Sequence, residues 1–302
     1  MTSKKYSTTR MLTTEAPTIN NISDAKFESF LFLPAHDKRI AEGGLRTKGL
    51  FKSSLDDKPL ITVVTVVYNG EEFLEETILS VINQTYENVE YIIIDGGSTD
   101  GTLDIIKKYD AQIDYWVSEP DGGIYDAMNK GITLATGEWI NFMNAGDSFY
   151  TDKVLREIFE SEISLEVDIF YGNYNVIYPA KKRIRKAGNH ANMWKGSQIC
   201  HQSSFIRCSL HKQNLFDTKT GIVADFRFFY ESYQQGACFK YIDVVISNYA
   251  AGGISDIKRI DVIVGFWNVV GKNTKVNMHY IYAILKTMVK DRIKKMIGLK
   301  LK

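Results

Sequence analysis

The chain has 302 residues, of which 44% are hydrophobic and 24% are charged, and its formal net charge is +1. This composition is typical of a soluble globular protein with a sizeable core, and the near-neutral charge gives no reason to expect nucleic acid as a partner. Three cysteines without a CxxC spacing argue against a disulfide framework or a zinc site. The polar start of the sequence and the lack of a run of roughly 20 apolar residues predict a cytoplasmic protein.

Residues 1–58 show little periodicity and are predicted to be an N-terminal extension that is partly mobile. The Ala41-Glu42-Gly43-Gly44 segment is typical of a mobile arm, and residues 27–33 are its one apolar run, a candidate for packing on the main domain. Pro59 marks the boundary. Residues 59–255 are predicted to form one domain with halves 59–150 and 151–255, and residues 256–302 a helical basic tail.

From Pro59 onward, strand and helix patterns alternate with short links, which predicts βαβ units and a parallel sheet. Predicted strands cover residues 61–68, 89–94, 113–117 and 139–143. Predicted helices cover residues 69–83, 103–109 and 124–134. The first helix is expected to begin with a capping box formed by Asn69 and Glu72. The β-branched run at 61–68 is typical of a strand that is covered on both faces.

The second half of the domain changes character. A hairpin around Pro179 is predicted from residues 168–178 and 183–186, and a strand from residues 199–206. A helix is predicted at 223–235 and a late strand at 239–248. The first half is predicted to have a parallel sheet and the second half a mixed one. This difference indicates that the first half binds a ligand and that the second half shapes the site of the reaction.

Acidic, glycine-rich turns stand at or after the ends of three predicted strands, at Asp95, Asp121 and Asp147. In open α/β sheets, ligands bind at the carboxyl ends of the strands. Carboxylates gathered there repel each other unless a cation or hydrogen-bond donors satisfy them, and Mg²⁺ or Mn²⁺ with a nucleotide is suited to that role. Ordinary turns and helix caps favour the same residues and remain an alternative.

The turn after the first strand, Tyr68-Asn69-Gly70-Glu71-Glu72, differs from the G-x-G-x-x-G fingerprint of dinucleotide enzymes, and the sequence has no P-loop. Several other motifs together resemble one known family. They are Thr65-Val66-Val67-Tyr68-Asn69-Gly70, Ile94-Asp95-Gly96-Gly97-Ser98-Thr99-Asp100-Gly101-Thr102, Ser118-Glu119-Pro120-Asp121-Gly122-Gly123-Ile124-Tyr125-Asp126-Ala127-Met128-Asn129-Lys130-Gly131 and Trp139-Ile140-Asn141-Phe142-Met143-Asn144-Ala145-Gly146-Asp147.

In these motifs the chain resembles the inverting, nucleotide-sugar-dependent glycosyltransferases of family 2, in particular bacterial surface-polysaccharide enzymes. The resemblance implies the GT-A fold, an α/β architecture with a Rossmann-like, mostly parallel central sheet flanked by helices, a mixed β/α acceptor half and a helical C-terminal tail. It implies transfer of a sugar, with inversion, from a nucleoside diphosphate sugar, expected to be a UDP-sugar. The acceptor is expected to be a hydroxyl of a glycan or lipid-linked sugar, and the cofactor Mn²⁺ or Mg²⁺.

The resemblance also implies roles for single residues. Asp225 matches the general base, and His201 and Gln202 match a pair that could line the donor or acceptor sugar. The Asn144-Ala145-Gly146-Asp147 turn stands where the family carries its D-x-D signature, so the first acid is replaced and Asp147 is the expected metal ligand. The residues expected to bind the nucleotide are Thr65, Tyr68, Asn69, Asp95, Gly96, Asp121, Asn129 and Asn144.

Two other functions remain open from the sequence. A sugar-1-phosphate nucleotidyltransferase could use a similar fold, although its basic glycine-rich signature is not evident near the amino terminus. A non-catalytic nucleotide-binding or scaffold protein is conceivable because Asn144 replaces an acid. Asp225 could also be only a charge at a helix N-terminus, where the helix dipole favours it, and His201 a hydrogen-bonded strand residue.

The carboxyl tail carries apolar residues on one helical arc over residues 280–297, with lysines along its edge. Such a helix could lie on an anionic membrane, which would place the protein peripherally at the inner face of the plasma membrane. Docking of the helix on the catalytic domain or on a partner subunit is the alternative.

Overall fold

The computed structural model describes residues 6–19, 28–160 and 166–296. Residues 1–5 and 20–27 of the predicted extension and residues 297–302 of the predicted tail lie outside the described residues. Within them, ten strands form one sheet in the order β1-β4-β3-β2-β5-β9-β7-β10-β6, with β8 paired to β7. The strands are β1 Ala41–Gly43, β2 Ile61–Val67, β3 Val89–Asp95, β4 Tyr115–Ser118, β5 Trp139–Phe142, β6 Ser148–Phe149, β7 Ile169–Tyr178, β8 Lys181–Arg185, β9 Ser204–Arg207 and β10 Phe239–Ala250.

The centre of the sheet is parallel, as the sequence predicts. β2 pairs in parallel with β3 on one side and β5 on the other, and β3 pairs in parallel with β4. All seven residues of β2 are buried, because helices cover both faces of the sheet and two hydrophobic clusters form, one on each side. The carboxyl ends of these four strands therefore meet at one edge.

Helices flank this sheet. They are α1 Leu74–Ile82, α2 Thr102–Lys108, α3 Ile124–Leu134, α4 Val154–Phe159, α5 Cys208–Gln213, α6 Ala224–Gln234, α7 Ile254–Ile257, α8 Arg259–Val270 and α9 Thr274–Met296. Helix α3 has the predicted bounds. Helix α1 begins five residues later than predicted, and the predicted Asn69–Glu72 capping box is wrong. Asn69 has a left-handed backbone with φ of 50°, and the residue that precedes the helix is Phe73.

The second half adds a mixed extension to the parallel sheet. β9 runs antiparallel between β5 and β7, β10 pairs in parallel with β7, and β7 and β8 form the predicted hairpin. β9 is shorter than predicted because His201–Ser203 forms a turn of 3₁₀ helix instead of strand. The predicted site residues His201 and Gln202 therefore lie in this turn and not in the sheet.

The segment that precedes the domain lies against the sheet. Ala41–Gly43, predicted to be a mobile arm, is edge strand β1, antiparallel to β4. The prediction is wrong there because the strand is short and its partner lies more than 70 residues further along the chain. The Arg46 guanidinium lies 2.5 Å from the buried Glu90 carboxylate, and Lys52 pairs with the buried Asp114. These charged side chains are buried, although their residue types are typical of surfaces.

The carboxyl tail forms a helical layer at the edge of the domain. α8 packs against α9, and the rings of Trp267 and Tyr280 stack with centroids 6.2 Å apart. None of the helices in the described residues is long and apolar enough to cross a bilayer.

Candidate active site

The predicted nucleotide side lies where β3 and β4 end. Asp95 stands opposite Val67 of β2 and Ser118 of β4, so three strand ends are adjacent. Its carboxylate is buried and accepts hydrogen bonds from the hydroxyl and amide of Ser98 and from the hydroxyl of Ser118. Hydroxyl donors thus satisfy the charge without a cation.

The turn after β2 closes over this carboxylate. The side-chain oxygen of Asn69 accepts from the backbone amide of Thr99 at 2.8 Å, and the backbone amide of Asn69 donates to the hydroxyl of Ser98 at 2.7 Å. Tyr68 beside it is 65% exposed. The edge therefore presents an aromatic ring next to a fixed polar turn.

Asp121 lies against Gly96 across the same edge. A Cβ at Gly96 would lie 2.5 Å from Oδ2 of Asp121, so a larger residue would displace this carboxylate. Asp121 also accepts from the amide of Gly123 at 2.7 Å, which fixes the turn before α3. Tyr68, Asn69, Asp95, Gly96 and Asp121 are consequently gathered at one place.

Two of the residues predicted to bind nucleotide make hydrogen bonds within the protein. Thr65 is fully buried, and its hydroxyl bonds the phenol of Tyr91 at 2.9 Å and the carbonyl of Met143 at 2.7 Å. Asn129 exchanges two hydrogen bonds with the backbone of Phe216, at 2.9 and 3.0 Å. The buried Thr65 hydroxyl is thus fully engaged within the protein, and the Asn129 amide is fixed by the Phe216 backbone.

A cleft of about 1130 Å³ opens beyond the end of β5. The 144–147 turn forms its floor, and Gly146 makes this turn possible with φ of 98°. The cleft is also lined by His201, Gln202, Asp225 and part of α8. The structure thus brings together the predicted metal, sugar and base residues around one space.

Asp147 connects three segments at the base of this cleft. Its Oδ2 accepts from Nε2 of Gln202 at 2.7 Å, and its Oδ1 accepts from the backbone amide of Ala250 at 3.1 Å. Burial raises the pKa of the Asp147 carboxyl, and these hydrogen bonds oppose the rise. Gln202 is therefore held in place by the carboxylate.

Asn144 and Asp147 fit a divalent metal that arrives with a diphosphate. Oδ1 of Asn144 is buried and has no hydrogen-bond partner within the described residues, so this oxygen can bind a cation. Each Asp147 oxygen accepts one hydrogen bond and keeps a further acceptor site. The described part of the chain has no cluster of three or more His, Cys, Asp or Glu suited to a metal. This partial shell suits Mg²⁺ or Mn²⁺ only if phosphates and waters complete it.

His201 stands between the 144–147 turn and Asp225. Its Nδ1 lies 3.2 Å from Oδ2 of Asp225, and its Nε2 lies 3.2 Å from Nδ2 of Asn144. When Nδ1 carries the hydrogen, it donates to the carboxylate and Nε2 accepts from the amide. The imidazole thus links Asn144 to Asp225.

Asp225 lies in the first turn of α6, with its side chain 27% exposed. Burial acts to raise the pKa of this carboxyl, but hydrogen bonds from His201, the Phe226 amide and Tyr125 outweigh it and lower the pKa below its usual value. The Tyr125 hydroxyl donates to Oδ1 at 3.0 Å. Asp225 is therefore ionised at neutral pH and oriented from both sides.

Tyr125 is the residue that the sequence reasoning missed. It belongs to a motif on which the family resemblance rests. A tyrosine at the start of a helix does not by itself predict a hydrogen bond to Asp225, which is 100 residues away. Its ring also packs on Phe216 with centroids 5.3 Å apart, so it fixes α3 against the cleft wall.

The model of the "Glycosyl transferase family 2" matches residues 62–234, which is more than half of the chain. The chain belongs to glycosyltransferase family 2. A "PGL/p-HBAD biosynthesis glycosyltransferase" of Mycobacterium bovis is 30% identical over 208 residues, which cover 66% of this chain and 80% of that protein. Family membership shows that the protein is a glycosyltransferase.

Solved structures show the same fold. S. aureus TarS 1-349 in complex with UDP-GlcNAc superposes with a TM-score of 0.56 at 16% identity, over 80% of this chain and 76% of that chain. The mannosyltransferase PcManGT from Pyrobaculum calidifontis, in complex with GDP-Man and Mn²⁺, gives 0.57 at 17% identity, over 72% and 67%. The predicted GT-A fold is confirmed.

Proposed function

We propose that this glycosyltransferase moves a sugar, with inversion at the anomeric carbon, from a nucleoside diphosphate sugar to a hydroxyl acceptor in cell-surface glycan biosynthesis. The observation that carries the proposal is the ionised Asp225 carboxylate, which faces the same cleft as the 144–147 turn. A single displacement requires a base for the acceptor hydroxyl and a site for the diphosphate within one cleft. The mycobacterial relative, which acts in PGL/p-HBAD biosynthesis by its name, supports a surface-glycan product.

The nucleotide is proposed to lie along the edge formed by Tyr68, Asn69, Asp95, Gly96 and Asp121. The exposed ring of Tyr68 offers a stacking surface for a base, and the turn around Asp95 is fixed before any ligand binds. UDP is the proposed nucleotide, because TarS of the same fold binds UDP-GlcNAc. GDP is the alternative that a direct comparison must test, since PcManGT binds GDP-Man.

Asn144 Oδ1 and the Asp147 carboxylate would hold Mn²⁺ or Mg²⁺ beside the diphosphate. When bound, such an ion neutralises charge that develops on the departing phosphate oxygens. His201 holds the amide of Asn144 in place from the other side, at 3.2 Å. Asp147 in turn depends on Gln202, so the His-Gln pair positions the two proposed ligands.

The proton of the acceptor hydroxyl goes to Asp225. The acceptor oxygen bonds to the anomeric carbon while the bond from that carbon to the diphosphate breaks, and the carboxylate takes the hydrogen. The hydrogen bonds from His201 and Tyr125 lower the basicity of Asp225. Proton transfer therefore accompanies bond formation instead of preceding it.

We propose residues 59–255 as the unit that carries the reaction, with residues 28–58 completing its sheet. Strand β1 and the Arg46–Glu90 pair tie the preceding segment to the parallel sheet. The segment then contributes to the stability of the domain, and no residue of it lines the cleft among the described positions.

The proposed function is tested by thermal shift with UDP-, GDP- and dTDP-sugars, each with and without Mn²⁺, followed by nucleotide release. Ligands that bind the native state raise its apparent stability. We expect one UDP-sugar to raise the melting temperature in the presence of Mn²⁺ and to release UDP slowly. Binding without any release or transfer would indicate a scaffold. Synthesis of a nucleotide sugar from a nucleoside triphosphate and a sugar phosphate would indicate a nucleotidyltransferase.

A further inference from the structure

Helix α9 presents an apolar stripe that the described residues leave uncovered. The inner side of the helix is anchored by buried Val276 and Tyr280. The outer side exposes large apolar side chains at a spacing of three and four residues, which places them on one face. We call this face the outer stripe; it consists of Met278, Ile281, Tyr282, Leu285, Met288, Val289 and Ile293.

The charges beside the outer stripe are almost all positive. Lys275, Lys286 and Lys290 are exposed along its edge, Arg292 is exposed within its arc, and Asp291 is the one acidic residue in the sequence of α9. Two copies of this helix packed stripe to stripe would bring these like charges together. An anionic lipid surface would instead attract them and accept the apolar side chains at the boundary of headgroups and acyl chains.

The inner side of α9 packs on the helix that forms part of the cleft wall. Helix α8 packs on α9, and Nε1 of Trp267 in α8 donates to the side-chain oxygen of Asn277 in α9 at 2.9 Å. Val262 and Phe266 of the same α8 line the cleft. Ile257, just before α8, is 76% exposed. Helix α9 therefore lies between the outer stripe and the α8 wall of the cleft.

We propose that the outer stripe and its flanking basic residues bind the surface of an anionic lipid bilayer, with α9 lying in the plane of the interface. Apolar side chains and basic charges on one helix supply the two contributions that interfacial binding requires. This arrangement brings the cleft wall formed by α8 close to the bilayer. An acceptor held in the same bilayer would be within reach, a consequence that rests on the proposed function.

The test is co-sedimentation of the full chain with vesicles of phosphatidylcholine alone and of phosphatidylcholine mixed with phosphatidylglycerol. It requires no catalysis, so its failure is distinct from failure of the proposed function. We expect binding to the anionic vesicles only, and a decrease as salt rises. Lys286→Glu with Lys290→Glu should lower the partition coefficient by roughly 25-fold or more, since each basic charge near such a surface contributes about fivefold. Leu285→Glu with Val289→Glu should lower it by at least about tenfold.

The matched controls lie on β8, away from α9. Ile184→Glu and Lys182→Glu change an exposed apolar residue and an exposed lysine in the same way, and both variants should bind as the wild type does. Far-UV circular dichroism and melting temperatures establish that all variants fold. Vesicle binding that is absent, or that is unchanged in the α9 variants, overturns the proposal. A dimer in light scattering that Leu285→Glu with Val289→Glu dissociates, without vesicle binding, would assign the outer stripe to a second copy.

Discussion

The imidazole Nδ1 of His201 lies 3.2 Å from Oδ2 of Asp225, and the Tyr125 hydroxyl lies 3.0 Å from Oδ1 of the same carboxylate. The three residues come from a 3₁₀ turn, the start of α6 and the start of α3. Packing of the two halves of the domain against each other therefore builds the proposed base. Its two oxygens are held from opposite sides, which leaves the carboxylate a single orientation toward the cleft.

Tyr125→Phe is expected to move the acid limb of the pH profile of kcat/KM to higher pH. Activity requires ionised Asp225 and falls as pH decreases through its pKa, which the tyrosine hydrogen bond helps to hold below its usual value. Loss of that bond raises the pKa and shifts the limb upward. Tyr230→Phe on α6 is the control, since that hydroxyl donates to the carbonyl of Val270 and not to Asp225. A Tyr125→Phe profile with lower activity but the wild-type acid limb would contradict a role in positioning the base.

Thr65→Val is expected to change the stability of the protein, and Tyr68→Ala its affinity for the donor. Thr65→Val leaves the Tyr91 hydroxyl and the Met143 carbonyl without their buried partner, at a cost of about 1–3 kcal/mol in the free energy of unfolding. The donor KM should not change. Tyr68→Ala removes an exposed ring, so it should leave stability unchanged and raise the donor KM about tenfold through lost stacking. Urea unfolding measures the stability of each variant, and donor titration measures its KM. A Thr65→Val variant with unchanged stability and an increased donor KM would show that the Thr65 hydroxyl contacts the nucleotide.

Arg46→Met should lower the free energy of unfolding by about 3–5 kcal/mol, because Glu90 would remain charged and buried without its partner. The control is Lys48→Met, which breaks the exposed pair with Asp110 and should cost at most about 1 kcal/mol. Denaturant unfolding of the two variants gives the comparison. Equal, small losses would mean that residues 28–58 contribute little to the domain.

The parallel centre of the fold could be predicted from the sequence because its signals are local. The buried β-branched run of β2 and the spacing of α3 each define an element within a dozen residues, and the predicted bounds agree with the structure. The predicted turn at 144–147 likewise follows directly from Gly146 at the end of a strand.

Contacts between distant segments could not be predicted in that way. Asn129 looks like a ligand-binding residue, but its partner Phe216 is 87 positions away, and Thr65 bonds a carbonyl 78 positions away. Likewise, the sequence around Arg46 does not predict that Glu90 is its partner. In each case, tertiary packing supplies the hydrogen-bond partner that decides whether a polar side chain serves the fold or the site.

His211→Phe should flatten the dependence of stability on pH. His211 is fully buried among Phe142, Phe216 and Phe228, and burial lowers its pKa from 6.5 to about 4. The unfolded chain binds a proton between these values and the folded protein does not, so stability is lost as pH falls below about 6.5. Between pH 7 and pH 5 the wild type should lose about 2 kcal/mol more than His211→Phe. Urea unfolding at both pH values tests this; equal losses would show that His211 takes up its proton without unfolding the protein.

The most direct test compares wild type with Asp225→Asn by donor titration and by single-turnover transfer with the UDP-sugar that binds. The substitution keeps the size of the side chain and removes the basic carboxylate. We expect Asp225→Asn to fold, to bind the donor with little change and to lose about 10² to 10⁴ in the rate of transfer. Transfer at the wild-type rate by Asp225→Asn, together with its loss in Glu231→Gln on the same helix, would contradict the assignment of Asp225 as the base.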